Sequence, residues 1–326
     1  MVRKAGARSI QVIKSVLVLS TVTLAACGGS PTTPTPPPVK PGAPALTCPA
    51  DLQVTSRDGH AAAVEFQPTV VDGTPPVTIT CTPASGTTFV IGSTPVSCTA
   101  TDAEQRTSTC AFSVVVEPPP HISVTRFMAF GDSITEGDPS VGPAYPTLLG
   151  TELSNRYTAQ QIVMFNEGHG GEMTTDGEDR IKKRVAIDNP QVVLILEGVN
   201  DINFYGESGE STVIFNLQRM VRSTEDAGAT PFLATLLPQR PGGQRAYAPD
   251  LIAPTNEKIR AIQGAVLVDL YAAFGGEAGT LIGPDGLHPS ASGYQKIAET
   301  FLDAIRMRFE APSAPMLRAP WAALRP

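Results

Sequence analysis

Gly131-Asp132-Ser133-Ile134-Thr135 sets a serine directly after an apolar run, at a turn that the glycine lets the backbone make sharply. A hydroxyl so placed stands exposed where a nucleophile is needed. Asp285-Gly286-Leu287-His288-Pro289 holds a carboxylate and an imidazole three residues apart. These are the parts of nucleophilic acyl transfer: Ser133 to attack a carbonyl, neutral His288 to take its proton, Asp285 to fix the imidazole's tautomer and orientation. Two more segments carry donors for the oxyanion that attack would create. Asn166-Glu167-Gly168-His169-Gly170-Gly171-Glu172-Met173 is a glycine-rich loop entering a helical stretch, and its backbone N–H groups can face an anion. Gly198-Val199-Asn200-Asp201 supplies a side-chain amide.

Taken singly, each feature has a plainer reading. A serine after a strand caps a helix, a glycine-rich loop is a turn, an asparagine bonds its own loop, and Asp285 with His288 could be metal ligands or a cap and a surface histidine. The set is stronger than its members. Apolar runs at 124–130, 161–165, 192–196, 231–236 and 265–270 predict strands. Helical stretches at 144–155, 174–187, 211–227 and 251–263 lie between them, and a last helix spans 290–308. Such alternation predicts a parallel sheet covered on both faces, with ligands bound outside the carboxyl ends of its strands. All four segments fall at that edge, in an order that assembles a complete acyl-transfer site.

In order, the Ser133 segment, the Gly171 loop, the Asn200 segment and the Asp285–His288 segment resemble the four sequence blocks of the SGNH, or GDSL-type, hydrolases. The resemblance covers 124–309. It implies an α/β fold, a three-layer α/β/α flavodoxin-like parallel sheet with strand order 2-1-3-4-5. It also implies Ser133, Asp285 and His288 as the catalytic residues. The oxyanion hole would be formed by the Ser133 and Gly171 N–H groups and the Asn200 side chain. An acyl-enzyme on Ser133 would then be hydrolysed, with no metal and no organic cofactor. The substrate would be a small-molecule, lipid or carbohydrate ester, and thioesters and carbohydrate acetyl esters remain alternatives. The common α/β-hydrolases are set aside because their nucleophile lies in G-x-S-x-G. One departure is Glu172-Met173, where the family often has Asp-Thr. Asp132 and Asp201 read as loop-fixing carboxylates, His169 as a solvated loop residue and Lys182-Lys183-Arg184 as a solvated helix face. The segment Ile202-Asn203-Phe204-Tyr205 and the loop 239–249 are expected to shape the pocket.

The remaining chain divides at its prolines, 31 of 326 residues, about twice the usual share. Residues 1–14 carry Arg3, Lys4, Arg8 and Lys14 and no acid, and an uncharged run at 15–26 follows. That run is shorter than the roughly 20 residues of a spanning helix and fits a signal peptide. Leu24-Ala25-Ala26-Cys27 resembles a bacterial lipobox, which implies lipidation of Cys27 and an exported, membrane-anchored protein, periplasmic or on the cell surface. Residues 27–45 form a Pro/Thr-rich linker, which at about 3.1 Å per residue would be an extended spacer. The net charge of −7, without a basic cluster, argues against nucleic acid.

Residues 46–117 show short alternating strands between Gly, Pro and Asp turns, the pattern of a small all-β sandwich. Cys48-Pro49, the run 81–102 and the strand from Cys110 to Val114 resemble the HYR family of immunoglobulin-like modules, with a departure at Glu104-Gln105-Arg106 where a Gly-Asn turn is more usual. Such modules imply an adhesion or spacer role and a surface ligand. An adhesion protein with a passenger hydrolase region is therefore the non-enzymatic rival. With Cys27 lipidated, Cys48, Cys81, Cys98 and Cys110 remain and allow three pairings, which sequence does not decide. The favoured one is Cys48–Cys110, tying the first strand to the last, with Cys81–Cys98 closing the middle. Residues 118–123 read as a proline-rich joint, 124–310 as the hydrolase domain, and 311–326 as a Pro/Ala-rich disordered tail on which Trp321 could dock.

Overall fold

The structure is a computed structural model that describes residues 40–311. The predicted signal, Cys27, most of the linker and the tail with Trp321 lie outside the described residues. Strands β1 (Ala45–Thr47), β2 (Leu52–Thr55), β3 (Ala62–Ala63), β4 (Thr69–Val71), β5 (Thr78–Thr82), β6 (Thr88–Phe89), β7 (Gly92–Thr101) and β8 (Thr107–Glu117) build the N-terminal β-rich part. Its main sheet runs β2-β8-β7-β5, beside the pairs β1-β4 and β3-β6. Alternate residues of the two long strands face inward: Val96, Cys98 and Ala100 from β7, and Phe112, Val114 and Val116 from β8. Disulfides join Cys48 to Cys110 and Cys81 to Cys98, and the second links directly opposed residues of β5 and β7.

The turn that departs from the HYR pattern is built around Asp102. Its carboxylate accepts from the N–H groups of Thr74, Glu104 and Arg106 and from the Arg106 guanidinium. Burial opposes its charge, but these bonds prevail and hold the carboxyl down at about 2. Gln105 takes φ 61, the left-handed region that Gly or Asn occupies with less strain. A different sequence thus makes the turn by anchoring it from beneath.

The second part begins with β9 (Arg126–Gly131), α1 (Ser133–Glu136), α2 (Tyr145–Arg156), β10 (Val163–Gly168), α3 (Thr174–Asp188) and β11 (Val192–Leu196). There follow α4 (Val199–Tyr205), continued by a 3₁₀ turn at Gly206–Gly209, then α5 (Glu210–Asp226), β12 (Thr230–Ala234), α6 (Pro249–Arg260), β13 (Val266–Val268), α7 (Leu270–Ala273) and α8 (Ala291–Phe309). The sheet is wholly parallel in the order β10-β9-β11-β12-β13, which is 2-1-3-4-5 counted from β9. β11 is buried along its whole length, as a central strand covered on both faces must be. α2 packs with α8, and α3 with α5. Right-handed crossovers place these pairs on opposite faces, which gives the three-layer α/β/α fold.

Three expectations need correction. Ile122, placed in the proline-rich joint, is fully buried in the α/β core and pairs with Glu310. Arg184 is not part of a solvated face, because its guanidinium bonds Glu167 and Asp188 while Lys182 pairs with Glu178. The segment after Gly198 is not a simple loop but α4, so Asn200 stands on a helix. Helices as short as α1, α4 and α7 span too few residues to show a 3.6-residue hydrophobic period.

At the carboxyl edge β9 and β11 approach closely. A Cβ on Gly131 would overlap Leu196 O and Thr135 Oγ1, so the residue before Asp132-Ser133 must be glycine for the two strands to meet.

Candidate active site

Ser133 is the first residue of α1. Asp132 caps that helix by accepting from the Ile134 N–H at 2.9 Å. The cap fixes the turn after β9 and leaves the serine half-buried at the sheet edge. From the far end of the chain, His288 reaches the same point: its Nε2 lies 2.8 Å from Ser133 Oγ. Its Nδ1 lies 2.6 Å from Asp285 Oδ2. Asp285 Oδ1 accepts from the backbone N–H groups of Leu287 and His288, both at 3.0 Å, so the carboxylate is held in one orientation. Burial raises the Asp285 pKa, yet the bonds from the His288 ring and from these N–H groups outweigh it and keep the carboxyl below its ordinary range. With Nδ1 donating to that carboxylate, Nε2 is left to accept from Ser133.

The Asp285 turn is held in place by a loop on which sequence shows no chemistry. Arg245 N–H donates to Asp285 O at 2.8 Å and Arg240 N–H to Gly286 O at 2.8 Å. Gly286, at φ +87, faces Gly243 so closely that a Cβ on either would crowd the other's backbone. Asn203 of α4 donates to Arg245 O at 3.1 Å, which ties the same loop to the helix carrying Asn200. Within 239–249, then, 240–245 hold the Asp285 turn and link it to α4.

Of the expected oxyanion donors, the Ser133 N–H lies at the open start of α1 and the Gly171 N–H in the loop after β10. Neither is used by a hydrogen bond among the described residues. Gly171 takes φ +77, which suits glycine. Asn200 Nδ2 donates one hydrogen to Glu172 O at 2.9 Å, which orients the amide and leaves its second hydrogen free. Asp201 receives the N–H and hydroxyl of Thr174 at 2.9 and 2.8 Å, locking α4 to the start of α3. Glu172, the departure in the second block, is buried and gripped by Arg180, whose guanidinium also bonds Glu167 O and Gly131 O and lies over the Phe130 ring. The unusual residue thus braces the Gly171 loop against β9. His169 is exposed.

Two buried acids stand behind the nucleophile. Burial pushes the Asp132 carboxyl up to about 7, assisted by repulsion from Glu172 and Asp201 and opposed by the Ile134 N–H. Glu197 is raised well above the carboxylate range by burial and by the charges of Asp132, Glu172 and Asp201. Sequence reasoning missed Glu197, although an acid directly following the wholly apolar Val192–Leu196 was a visible signal. Because Asp132 keeps its proton in the folded state where the unfolded chain has lost it, its contribution to stability is full below pH about 4. It declines as pH rises and is lost above about 7. Asp132→Asn preserves the cap and removes the titration. Its melting temperature is expected to match the wild type at pH 4.5 and to exceed it by about 5 °C or more at pH 8. An equal difference at both pH values would show that Asp132 ionises normally.

Several known proteins are similar to this chain. A curated multidomain esterase of Ruminococcus flavefaciens is 24% identical over 162 residues, 48% of this chain, and the chain spans only 20% of that protein's length. A lipase/acylhydrolase of Enterococcus faecalis of known structure superposes with a TM-score of 0.50 at 26% identity, over 58% of this chain and 100% of the other. An acetylxylan esterase of Geobacillus stearothermophilus gives 0.48 at 22% identity, over 56% and 95%. Residues 41–116 match the HYR domain. Residues 129–296, more than half the chain, match the GDSL-like lipase/acylhydrolase family, and the chain belongs to that family.

Proposed function

We propose that this protein hydrolyses carboxylic esters through an acyl-enzyme on Ser133. The observation that carries the reading is the unbroken relay from Ser133 Oγ through the His288 ring to Asp285, with contacts of 2.8 and 2.6 Å, beside backbone N–H groups that have no partner among the described residues. His288 removes the serine proton as Oγ attacks the ester carbonyl, and Asp285 stabilises the imidazolium that forms. The carbonyl oxygen becomes an oxyanion met by the Ser133 and Gly171 N–H groups and the free hydrogen of Asn200 Nδ2. Collapse expels the alcohol, which takes the proton from His288. Water then enters by the same base and releases the acid.

For the alcohol part of the ester we propose a carbohydrate. Phe204 lies four residues after Asn200 on α4, hence on the same helix face, and its side chain is 73% exposed. Tyr247, 70% exposed, stands on the loop that Asn203 and Asp285 hold. An aromatic side chain left exposed on the helix that carries an oxyanion donor suits the flat C–H face of a sugar ring. Glu136 and Asp138 are exposed on the nucleophile side and would accept hydroxyl hydrogens while repelling an anionic lipid headgroup. For location, the basic start, the short apolar run and Leu24-Ala25-Ala26-Cys27 support an exported lipoprotein anchored through Cys27, with the HYR-like part as spacer or binding module.

Assayed on p-nitrophenyl esters from acetate to palmitate, the protein is expected to turn over short acyl chains. Ser133→Ala should abolish turnover, and Asn200→Ala should lower kcat by about 10²–10³; a loss under about threefold would remove Asn200 from the oxyanion hole. Phe204→Ala should raise KM about fivefold or more for an acetylated oligosaccharide while leaving p-nitrophenyl acetate unchanged, and equal effects on both would reject the sugar platform. Cys27→Ser in cells should shift the protein from the membrane to the soluble fraction. Retention in the membrane would exclude the lipid anchor.

A further inference from the structure

Glu197 has no part in the relay, yet it lies beside Asp132, the residue that precedes the nucleophile. In the register of β11 on β9, Leu196 pairs with Gly131, so Glu197 and Asp132 follow side by side at the ends of the two central strands. Each is only 1% exposed. Asp132 accepts the Ile134 N–H, whereas neither oxygen of Glu197 has a hydrogen-bond partner among the described residues. The ionisable groups whose fields reach it are Asp132 before α1, Glu172 from the Gly171 loop, Asp201 from α4, Arg180 from α3 and Tyr145 from α2. Three of the five are acids, and Arg180 is already engaged with Glu172. Among the described residues no three acidic, histidine or cysteine side chains converge to hold a metal ion. A carboxylate in this position would have neither a donor nor a counter-charge of its own, so a proton is what makes its burial tolerable.

Each neighbouring acid is next to an oxyanion donor in sequence: Asp132 precedes Ser133, Glu172 follows Gly171 and Asp201 follows Asn200. A further negative charge in this low-dielectric floor would oppose the oxyanion that those donors stabilise. We propose that Glu197 is a positioning residue that works as a neutral acid: uncharged it packs the floor beneath the oxyanion donors, and its loss of a proton to solvent sets the alkaline edge of turnover. The inference rests on the acyl-enzyme reading given above.

The test is the pH profile of kcat on a short-chain ester for the wild type, Glu197→Gln and Glu197→Met, with Ser133→Ala as control. Both substitutions keep the approximate volume and remove the titration. At pH 7 each folded variant should stay within about threefold of the wild type. Their alkaline limb should move up by about one pH unit or more, while the acid limb stays in place. At pH 9 they should therefore exceed the wild type by about fivefold or more. Circular dichroism at each pH separates loss of turnover from loss of fold, and Met serves if the Gln variant does not fold. An unchanged alkaline limb, or a uniform loss at every pH in folded protein, overturns the role of Glu197. Turnover that survives in Ser133→Ala overturns the acyl-enzyme reading instead.

Discussion

The site is organised around the seam between β9 and β11. At its carboxyl end Leu196 O lies where a side chain on Gly131 would be, and this contact sets where both strands stop. From one strand end the chain turns into α1 and presents Ser133. From the other it turns through Gly198, at φ +116, into α4 and presents Asn200. The Gly171 loop joins the group because Gly168 also packs directly against backbone, that of Thr135 and Glu136. Strand contacts that exclude side chains thus bring three segments, distant in sequence, to one point. Since strands are stiff and their register is fixed by hydrogen bonds, the donors are positioned before any substrate arrives.

The same crowding creates an electrostatic problem. The floor of a site meant to stabilise a negative charge contains Asp132, Glu172, Glu197 and Asp201, all buried. Each is compensated differently. Glu172 has the Arg180 guanidinium, Asp201 has the Thr174 N–H and hydroxyl, and Asp132 has one backbone N–H. Only Glu197 lacks any donor among the described residues. Without Arg180 the loop carboxylate would be a further unpaired buried charge. The guanidinium therefore both ties the Gly171 loop to β9 and removes one of the fields acting against the oxyanion.

Much of this was legible in the sequence, for identifiable reasons. β11 is a fully buried run with no polar residue, so its limits are those of its apolar block, Val192–Leu196. The longer helices followed from periodicity, and the Ser133 and His288 segments from residue types at fixed spacing. What escaped had no local signature. Arg184 lies in a basic triplet that reads as surface, and only the fold brings Glu167 to it. The loop through Arg240, Gly243 and Arg245 acts by backbone hydrogen bonds to the Asp285 turn and by the close approach of Gly243 to Gly286, partners that only the fold brings together. Ile122 follows three prolines and so resembles linker, but the fold buries it in the α/β core and pairs its backbone with Glu310 at the far end of that part.

The two parts of the described chain reach stability by different means, which makes the distribution of cysteine intelligible. The β-rich part has a small core, seven buried apolar residues around Val96 and Phe112, and carries both disulfides. A module of that size buries little surface per residue, and covalent links compensate by restricting its unfolded state. The α/β part has an extensive core running from Ile122 to Ile305, and no cysteine follows Cys110. Hydrophobic burial at that scale needs no crosslinks. The active-site seam therefore depends on packing and hydrogen bonds alone, and its geometry does not depend on the redox state of the compartment. The β-rich part, by contrast, depends on oxidation for its staples, so a reducing environment would loosen it first.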